Sequence, residues 1–224
     1  MAAVQAARAG KTVVLIEPGQ RLGGMTSGGL GATDVGREVA IGGLAREFYQ
    51  RIARKYADDR YWNCQRREEY TPPGPASRAS DRSVMWAFEP KVALEVCQDL
   101  IRENRVAVHY GQRLDLRSGV RKTGARIIEI TMESGARFRG KMFIDASYEG
   151  DVMARAGVAY TLGREARDTY GESLNGITGP TRYAHERPDE IDAYVVKGEP
   201  ASGLLPTVRP RIAAVGAADR GIMA

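Results

Sequence analysis

A single carboxylate stands at the point where the first predicted strand ends. Thr12–Ile16 is a continuous apolar run with β-branched residues, which is typical of a strand buried on both faces of a parallel sheet. Glu17 follows it directly. In dinucleotide-binding folds, an acid at this position accepts hydrogen bonds from the adenosine ribose hydroxyls. Taken alone, Glu17 is better explained as a solvated acid at a strand end than as a ribose ligand. Its interpretation therefore depends on the residues that follow.

A glycine-rich loop comes next, with five glycines in the nine positions from Gly23 to Gly31. Glycines let backbone N–H groups approach a ligand closely and adopt a positive φ without steric cost. Thr26 and Ser27 add hydroxyl donors for a phosphate. A flexible surface loop has a similar composition, but the position shortly after a strand that ends in Glu17 favours a cofactor loop.

The elements that position this loop correspond to the second half of a dinucleotide-binding βαβ unit. Ala2–Ala9 is alanine-rich and predicts a helix that ends at Gly10. The first strand of such a unit and its G-x-G-x-x-G turn are expected before Met1. Pro206–Ala224 shows no pattern that would close a fold. We therefore interpret the sequence as a fragment, incomplete at both ends.

Hydrophobic periodicity predicts the rest of a mixed α/β fold. Thr12–Ile16 and Phe143–Asp145 are expected in one parallel sheet, with an antiparallel meander from about Leu114 to Phe138 against it. Tyr61–Ser83 is polar and predicts a loop or excursion. The other predicted helices are Gly43–Tyr56, Pro90–Asn104, Asp151–Ala156 and one within Glu186–Lys197, and the other predicted strands are Val106–Tyr110, Arg126–Met132 and Ala136–Asp145.

Composition and charge indicate a globular class and exclude several partners. The chain is 43% hydrophobic and 27% charged, and it has no apolar run near the roughly 18–20 residues of a membrane span. The net charge of +5 comes from scattered basic residues without interleaved aromatics, which argues against nucleic-acid binding. Cys64 and Cys97 lack metal-ligand spacing, so we predict no metal site and no disulfide framework. Localisation and oligomeric state are not indicated.

The motifs resemble those of one family. Glu17-Pro18 and the segment Arg21–Gly31 look like the FAD-dependent oxidoreductases of the glutathione-reductase-like flavoprotein superfamily. The closest likeness is to the bacterial FAD-dependent oxidoreductase family that includes flavin subunits related to heterodisulfide reductase. A second block, Phe143–Asp151 followed by Tyr160–Glu165, is similar to the family's Asp-Ala-Thr-Gly-like segment, where a third strand returns beside the cofactor.

The resemblance implies an incomplete Rossmann-like FAD-binding domain over residues 1–165, with an excursion at about 57–88. Residues 166–224 would begin a substrate or cap region. It also implies a role for each matching residue. Glu17 would hold the adenosine ribose, Arg113 and Leu114 would meet the adenine, and Ala146 and Ser147 would approach the adenosine half of FAD. The residues that would run along the diphosphate toward the isoalloxazine ring are Arg21, Gly23, Gly24, Met25, Thr26 and Ser27.

The sequence departs from the family pattern in two respects. The acidic segment that holds the flavin ribityl chain is not recognisable, and no residue stands out as an acid, a base or a redox cysteine. Glu149 and Asp151 are better explained as acids at a helix start. Two hypotheses stay open. The first is a truncated FAD-dependent oxidoreductase of a small-molecule substrate, expected to be inactive and to bind FAD weakly by itself. The second is a non-catalytic Rossmann-like or partner-binding domain without a cofactor.

Overall fold

The computed structural model describes residues 1–78, 80–177, 192–206, 214 and 216–218. The chain divides into two units, Met1–Ala156 and Gly157–Ala224. The described elements of the second unit include a short helix, α6 (Arg167–Tyr170), and a 3-10 turn at Pro200–Ser202. The first unit contains α1 (Ala2–Arg8), β1 (Val14–Glu17), α2 (Gly24–Gly28), α3 (Gly43–Lys55), α4 (Pro90–Glu103), β2 (Ala107–Tyr110), β3 (Val120–Thr123), β4 (Arg126–Thr131), β5 (Arg137–Arg139) and α5 (Asp151–Arg155).

The helices α3 and α4 pack together and form the main core. Apolar residues four positions apart, such as Phe48 and Ile52, give α3 one buried face. Pro90 occupies the first turn of α4, where its missing N–H is not needed. Both predicted helices are therefore confirmed to within one residue at their ends. The fully or nearly fully buried residues of this core include Val4, Phe48, Ile52, Val92, Ala93, Val96 and Leu100.

The parallel sheet has two described strands. β1 and β2 run parallel, with Val14 opposite Ala107 and Glu17 opposite Tyr110. The strand predicted over Thr12–Ile16 is thus confirmed in type, but it begins at Val14 and none of its residues is fully buried. Val14 is 45% exposed. The predicted burial on both faces is therefore wrong, because the elements packed above and below β1 leave its side chains at least partly exposed.

The prediction that Phe143–Asp145 joins this sheet is also wrong. Phe143–Asp145 forms no strand, and of the strand predicted over Ala136–Asp145 only Arg137–Arg139 is paired. A strand needs a partner for its backbone N–H and C=O groups, and β1 and β2 pair with each other rather than with this segment. Ile144 is accordingly 69% exposed, and Asp145 begins a turn instead.

The antiparallel meander is present as predicted. β4 lies between β3 and β5, with Val120 and Phe138 both opposite Ile130 on its two sides. The ring of His109 on β2 contacts the ring of Phe138 edge-on, with centroids 5.0 Å apart. This contact of the exposed His109 connects the meander to the parallel sheet.

The excursion before α4 forms a second, smaller core. Trp86 is 3% exposed and its ring lies tilted against that of Tyr49, with centroids 4.3 Å apart, and Val35 and Val84 are buried with it. Tyr61–Ser83 is a loop as predicted, with short 3-10 turns at Asp59–Tyr61, Arg67–Glu69 and Gly74–Arg78. The Tyr70 hydroxyl donates to the Ala87 carbonyl at 3.1 Å, which fastens the excursion to the start of α4.

The helix predicted within Glu186–Lys197 lies mainly outside the described residues. Its described end, 192–197, is not helical: Tyr194 forms an isolated antiparallel bridge with Leu204. The Asp192 carboxylate accepts hydrogen bonds from the backbone N–H groups of Tyr194 and Gly198 and holds this turn closed. Most of Pro206–Ala224 lies outside the described residues as well.

Candidate functional site

Glu17 stands at the carboxyl end of β1 and organises the turn that follows. Its Oε1 accepts the Gly19 N–H at 2.7 Å, and its carbonyl accepts the Gln112 N–H at 3.1 Å. The Gly111 N–H donates to the Gly19 carbonyl at 3.0 Å. Because β1 and β2 are parallel, both strands end at this edge, and the two loops that follow them are joined there. A carboxylate accepts about four hydrogen bonds, so Glu17 keeps capacity for a ligand hydroxyl.

Leu114 continues the second of these loops into the meander. It is half-buried and forms an isolated antiparallel bridge with Met132. The carbonyl of the exposed Arg113 accepts the Glu133 N–H at 2.8 Å. Arg113 and Leu114 therefore directly follow Gln112, whose N–H donates to the Glu17 carbonyl.

The loop from Arg21 to Ser27 is closed by its own polar groups. The Ser27 hydroxyl donates to the Leu22 carbonyl, and Ser27 is only 1% exposed. The Arg21 guanidinium donates back to the Ser27 carbonyl at 3.2 Å. The Ser27 hydroxyl is thus used inside the protein, whereas Thr26 is half-exposed and Met25 is exposed.

Gly23 is required by this closed shape. Its φ is +99°, and a Cβ built there would lie 2.7 Å from the Ser27 Oγ and 3.3 Å from the Cys97 Sγ. Cys97 lies on α4, so the glycine allows α2 to pack closely on that helix. Burial raises the pKa of the Cys97 thiol, which favours the uncharged form and a packing role.

The second sequence block forms a turn held by one acid. The Asp145 carboxylate accepts the Ser147 N–H at 3.0 Å, the Ser147 hydroxyl at 2.7 Å and the Met153 N–H at 3.0 Å. The Ser147 Oγ in turn accepts the Gly150 N–H at 3.0 Å. Partial burial works against ionisation of Asp145, but these hydrogen bonds outweigh it and hold its pKa below the usual range. Ala146 and Ser147 lie exposed on this turn.

A tyrosine joins the two blocks. The hydroxyl oxygen of Tyr148 accepts the Met25 N–H at 2.6 Å, across 123 positions of sequence. A Cβ on Gly24 would lie 2.4 Å from that oxygen, so the glycine leaves the room that Tyr148 occupies. Tyr148 lies within the second block of the sequence, where the resemblance assigned it no role. The sequence signal for this contact is a tyrosine inside a Ser-Tyr-Glu-Gly segment, together with the Gly23-Gly24 pair far from it in the chain.

These residues fit an extended dinucleotide. Gly23, Gly24, Gly28 and Gly29 are exposed, and a Cβ on Gly28 or Gly29 would meet nothing within 4 Å. The main chain at these glycines is therefore exposed, and the half-buried Glu17 carboxylate precedes them in the chain at the carboxyl end of β1. In the described part of the chain, no cluster of His, Cys, Asp and Glu could hold a metal ion, and no helix is long and apolar enough to cross a membrane.

A surface cavity in another part of the described chain is a weaker candidate. It measures about 230 Å³ and lies at the exposed side of α3, between Lys55 and Asp99. Lys55 pairs with Asp99 at 2.9 Å, and Arg51 pairs with Glu103 at 2.7 Å. Since these charges compensate one another, little unpaired charge is left there to attract an ionic ligand.

Comparison with known proteins gives one match. A family model described as FAD dependent oxidoreductase matches residues 1–218, which is nearly the whole chain. The family implies an FAD cofactor. No curated protein and no solved structure match the chain.

Proposed function

Because the chain belongs to the family of FAD-dependent oxidoreductases, we propose that it binds FAD along the carboxyl edge of β1 and β2 and carries out flavin-mediated redox of a small-molecule substrate. Within that family we propose a Rossmann-like, glutathione-reductase-like arrangement of the cofactor domain, over about residues 1–165. Bound flavin supplies the redox chemistry, and the protein supplies position and electrostatics.

The contact between Tyr148 and Met25 is the observation that carries this proposal. It brings together the two sequence blocks that resemble cofactor-binding segments. Glu17, the acid at the strand end, shortly precedes Arg21 and the first block in the chain. The hydrogen bond from the Gln112 N–H to the Glu17 carbonyl connects the loop after β2 to this segment. The resemblance of these segments and the contacts within them support a site at the carboxyl end of the sheet, where ligands bind in parallel α/β folds.

Each residue has a separate proposed task. The Glu17 carboxylate accepts the ribose hydroxyls, and the Leu114 main chain meets the adenine. The exposed main chain from Gly23 to Thr26 lines the diphosphate, and Arg21 balances its charge while holding the Ser27 carbonyl. Ala146 and Ser147 contribute from the turn on the opposite side.

The test is FAD titration of the protein expressed from its full reading frame, read by quenching of flavin fluorescence. A hydrogen bond to a charged group contributes about 1.5–3 kcal/mol, so Glu17→Gln should weaken FAD binding by about 10- to 100-fold. The matched control is Glu133→Gln, an exposed acid in the meander hairpin. A wild-type protein that binds no FAD, or a Glu17→Gln variant with unchanged affinity, would contradict the proposal.

A further inference from the structure

Tyr148 has an unusual combination of exposure and engagement. It is 69% exposed, yet its oxygen accepts the Met25 N–H at only 2.6 Å. Gly24, with a φ of +55°, provides the space for that approach. An exposed aromatic side chain that is held by a main-chain hydrogen bond contributes little to a core, which points to a role at a ligand surface.

The turn that carries Tyr148 is built in advance of any ligand. Asp145 collects three hydrogen bonds from Ser147 and Met153, and Gly150 closes the turn with a φ of +67°. Tyr148 therefore projects from a turn that is held by its own hydrogen bonds, and its oxygen reaches the main chain at Met25.

We propose that Tyr148 is a binding and positioning residue of the FAD site. Its oxygen holds the Met25 N–H and so fixes the main chain of the Gly23–Ser27 loop, and its hydroxyl proton is donated to an oxygen atom of bound FAD. A phenol can accept and donate at the same time, and the exposed Tyr148 side chain keeps the proton accessible. The inference rests on the proposed function for the identity of the ligand.

The first test compares Tyr148→Phe with wild type, using the protein from its full reading frame. Losing two ordinary hydrogen bonds predicts an FAD dissociation constant about 5- to 50-fold higher and a shifted absorption band of the bound flavin. The thermal midpoint without FAD should change little, because the ring is retained and mostly exposed. Tyr170→Phe, an equally exposed tyrosine in the second unit, is the control. Unchanged FAD affinity in Tyr148→Phe would overturn the proposal.

The second test needs no cofactor. If Tyr148 fixes the loop, trypsin should cut after the exposed Arg21 several-fold faster in Tyr148→Phe than in wild type, while cutting after the exposed Arg82 stays constant. Equal rates at Arg21 would overturn the positioning part of the proposal. If wild type binds no FAD, the proposed function fails, and the trypsin comparison still decides whether Tyr148 holds the loop.

A double-mutant cycle links Tyr148 to its glycine. With Tyr148 present, Gly24→Ala places a methyl group against the Tyr148 phenol and should speed trypsin cleavage after Arg21. In a Tyr148→Ala background the same change should have a smaller effect, because the clash is gone and only the backbone strain is left. Additive effects would show that Gly24 and Tyr148 act independently and would overturn the contact as the cause.

Discussion

The α3–α4 helix pair and the β1–β2 sheet belong to the same unit but differ in what holds them. Ile52, Val92 and Val96 on the helices are completely buried, whereas no residue of β1 or β2 is. The carboxyl end of the sheet instead carries polar contacts, such as those of Glu17 with Gly19 and Gln112. Apolar burial is thus concentrated in the helices, and the proposed ligand edge is held by main-chain and polar contacts.

The strongest test of this comparison removes equal kinds of atoms from both regions. Ile52→Ala should lower the free energy of unfolding by about 2–5 kcal/mol, because it leaves a cavity in a packed core. Val14→Ala should cost about 1 kcal/mol or less, since Val14 is already 45% exposed. Urea denaturation of both variants measures the difference. Equal losses would mean that the sheet is as important to stability as the helix pair.

The same contrast explains what the sequence could predict. α3 and α4 were predictable because apolar residues recur at helical spacing over several turns. Gly43 and Pro90 mark where these helices begin. The meander was predictable from the Glu133–Gly135 turn. Phe143–Asp145 has the composition of a buried strand, but whether it pairs depends on which strands lie beside it, and that is not a local property.

The site was predictable in part for the same reason. Glu17 and the glycine loop carry local signals, and the structure joins the turn after Glu17 to the loop after β2. Tyr148 and the buried use of the Ser27 hydroxyl depend on contacts between distant segments. A sequence does not show where a side-chain hydroxyl points. It therefore could not distinguish a hydroxyl that faces a ligand from one that closes a loop through an internal hydrogen bond.

A smaller effect should come from Ser27, where the two regions meet. Ser27→Ala leaves the buried Leu22 carbonyl without its hydroxyl donor, which should cost about 1–3 kcal/mol of unfolding free energy. Thr26→Ala is the matched control, because Thr26 is half-exposed and alanine favours the helix. Thermal unfolding without FAD measures both. If Thr26→Ala is as damaging as Ser27→Ala, the internal hydrogen bond is not what closes the loop.

The smallest expected effect concerns the ionic surface of the helix pair. Glu47 on α3 accepts hydrogen bonds from Arg8 at 2.5 Å and from Arg51 at 2.9 Å. The bond from Arg8, opposed by partial burial and reinforced by Arg51, lowers the pKa of Glu47 to about 2 from 4.5. A lowered folded-state pKa adds stability that is complete above the unfolded value and is lost as the pH falls toward the folded value. Stability from Glu47 should therefore disappear between about pH 4.5 and pH 2.

Glu47→Gln should remove that part of the pH dependence and cost about 1 kcal/mol or less at pH 7, because the pair is partly exposed. Glu129 also has a pKa of about 2, set by Arg139 and Arg121, but it titrates in both proteins and cancels in the difference. Urea midpoints of wild type and Glu47→Gln from pH 7 to pH 2.5 should converge at the acid end, with Glu133→Gln as the exposed control. A constant gap across this range would mean that Glu47 stabilises α3 by packing and not by charge, which would leave the helix pair stable through its apolar contacts alone.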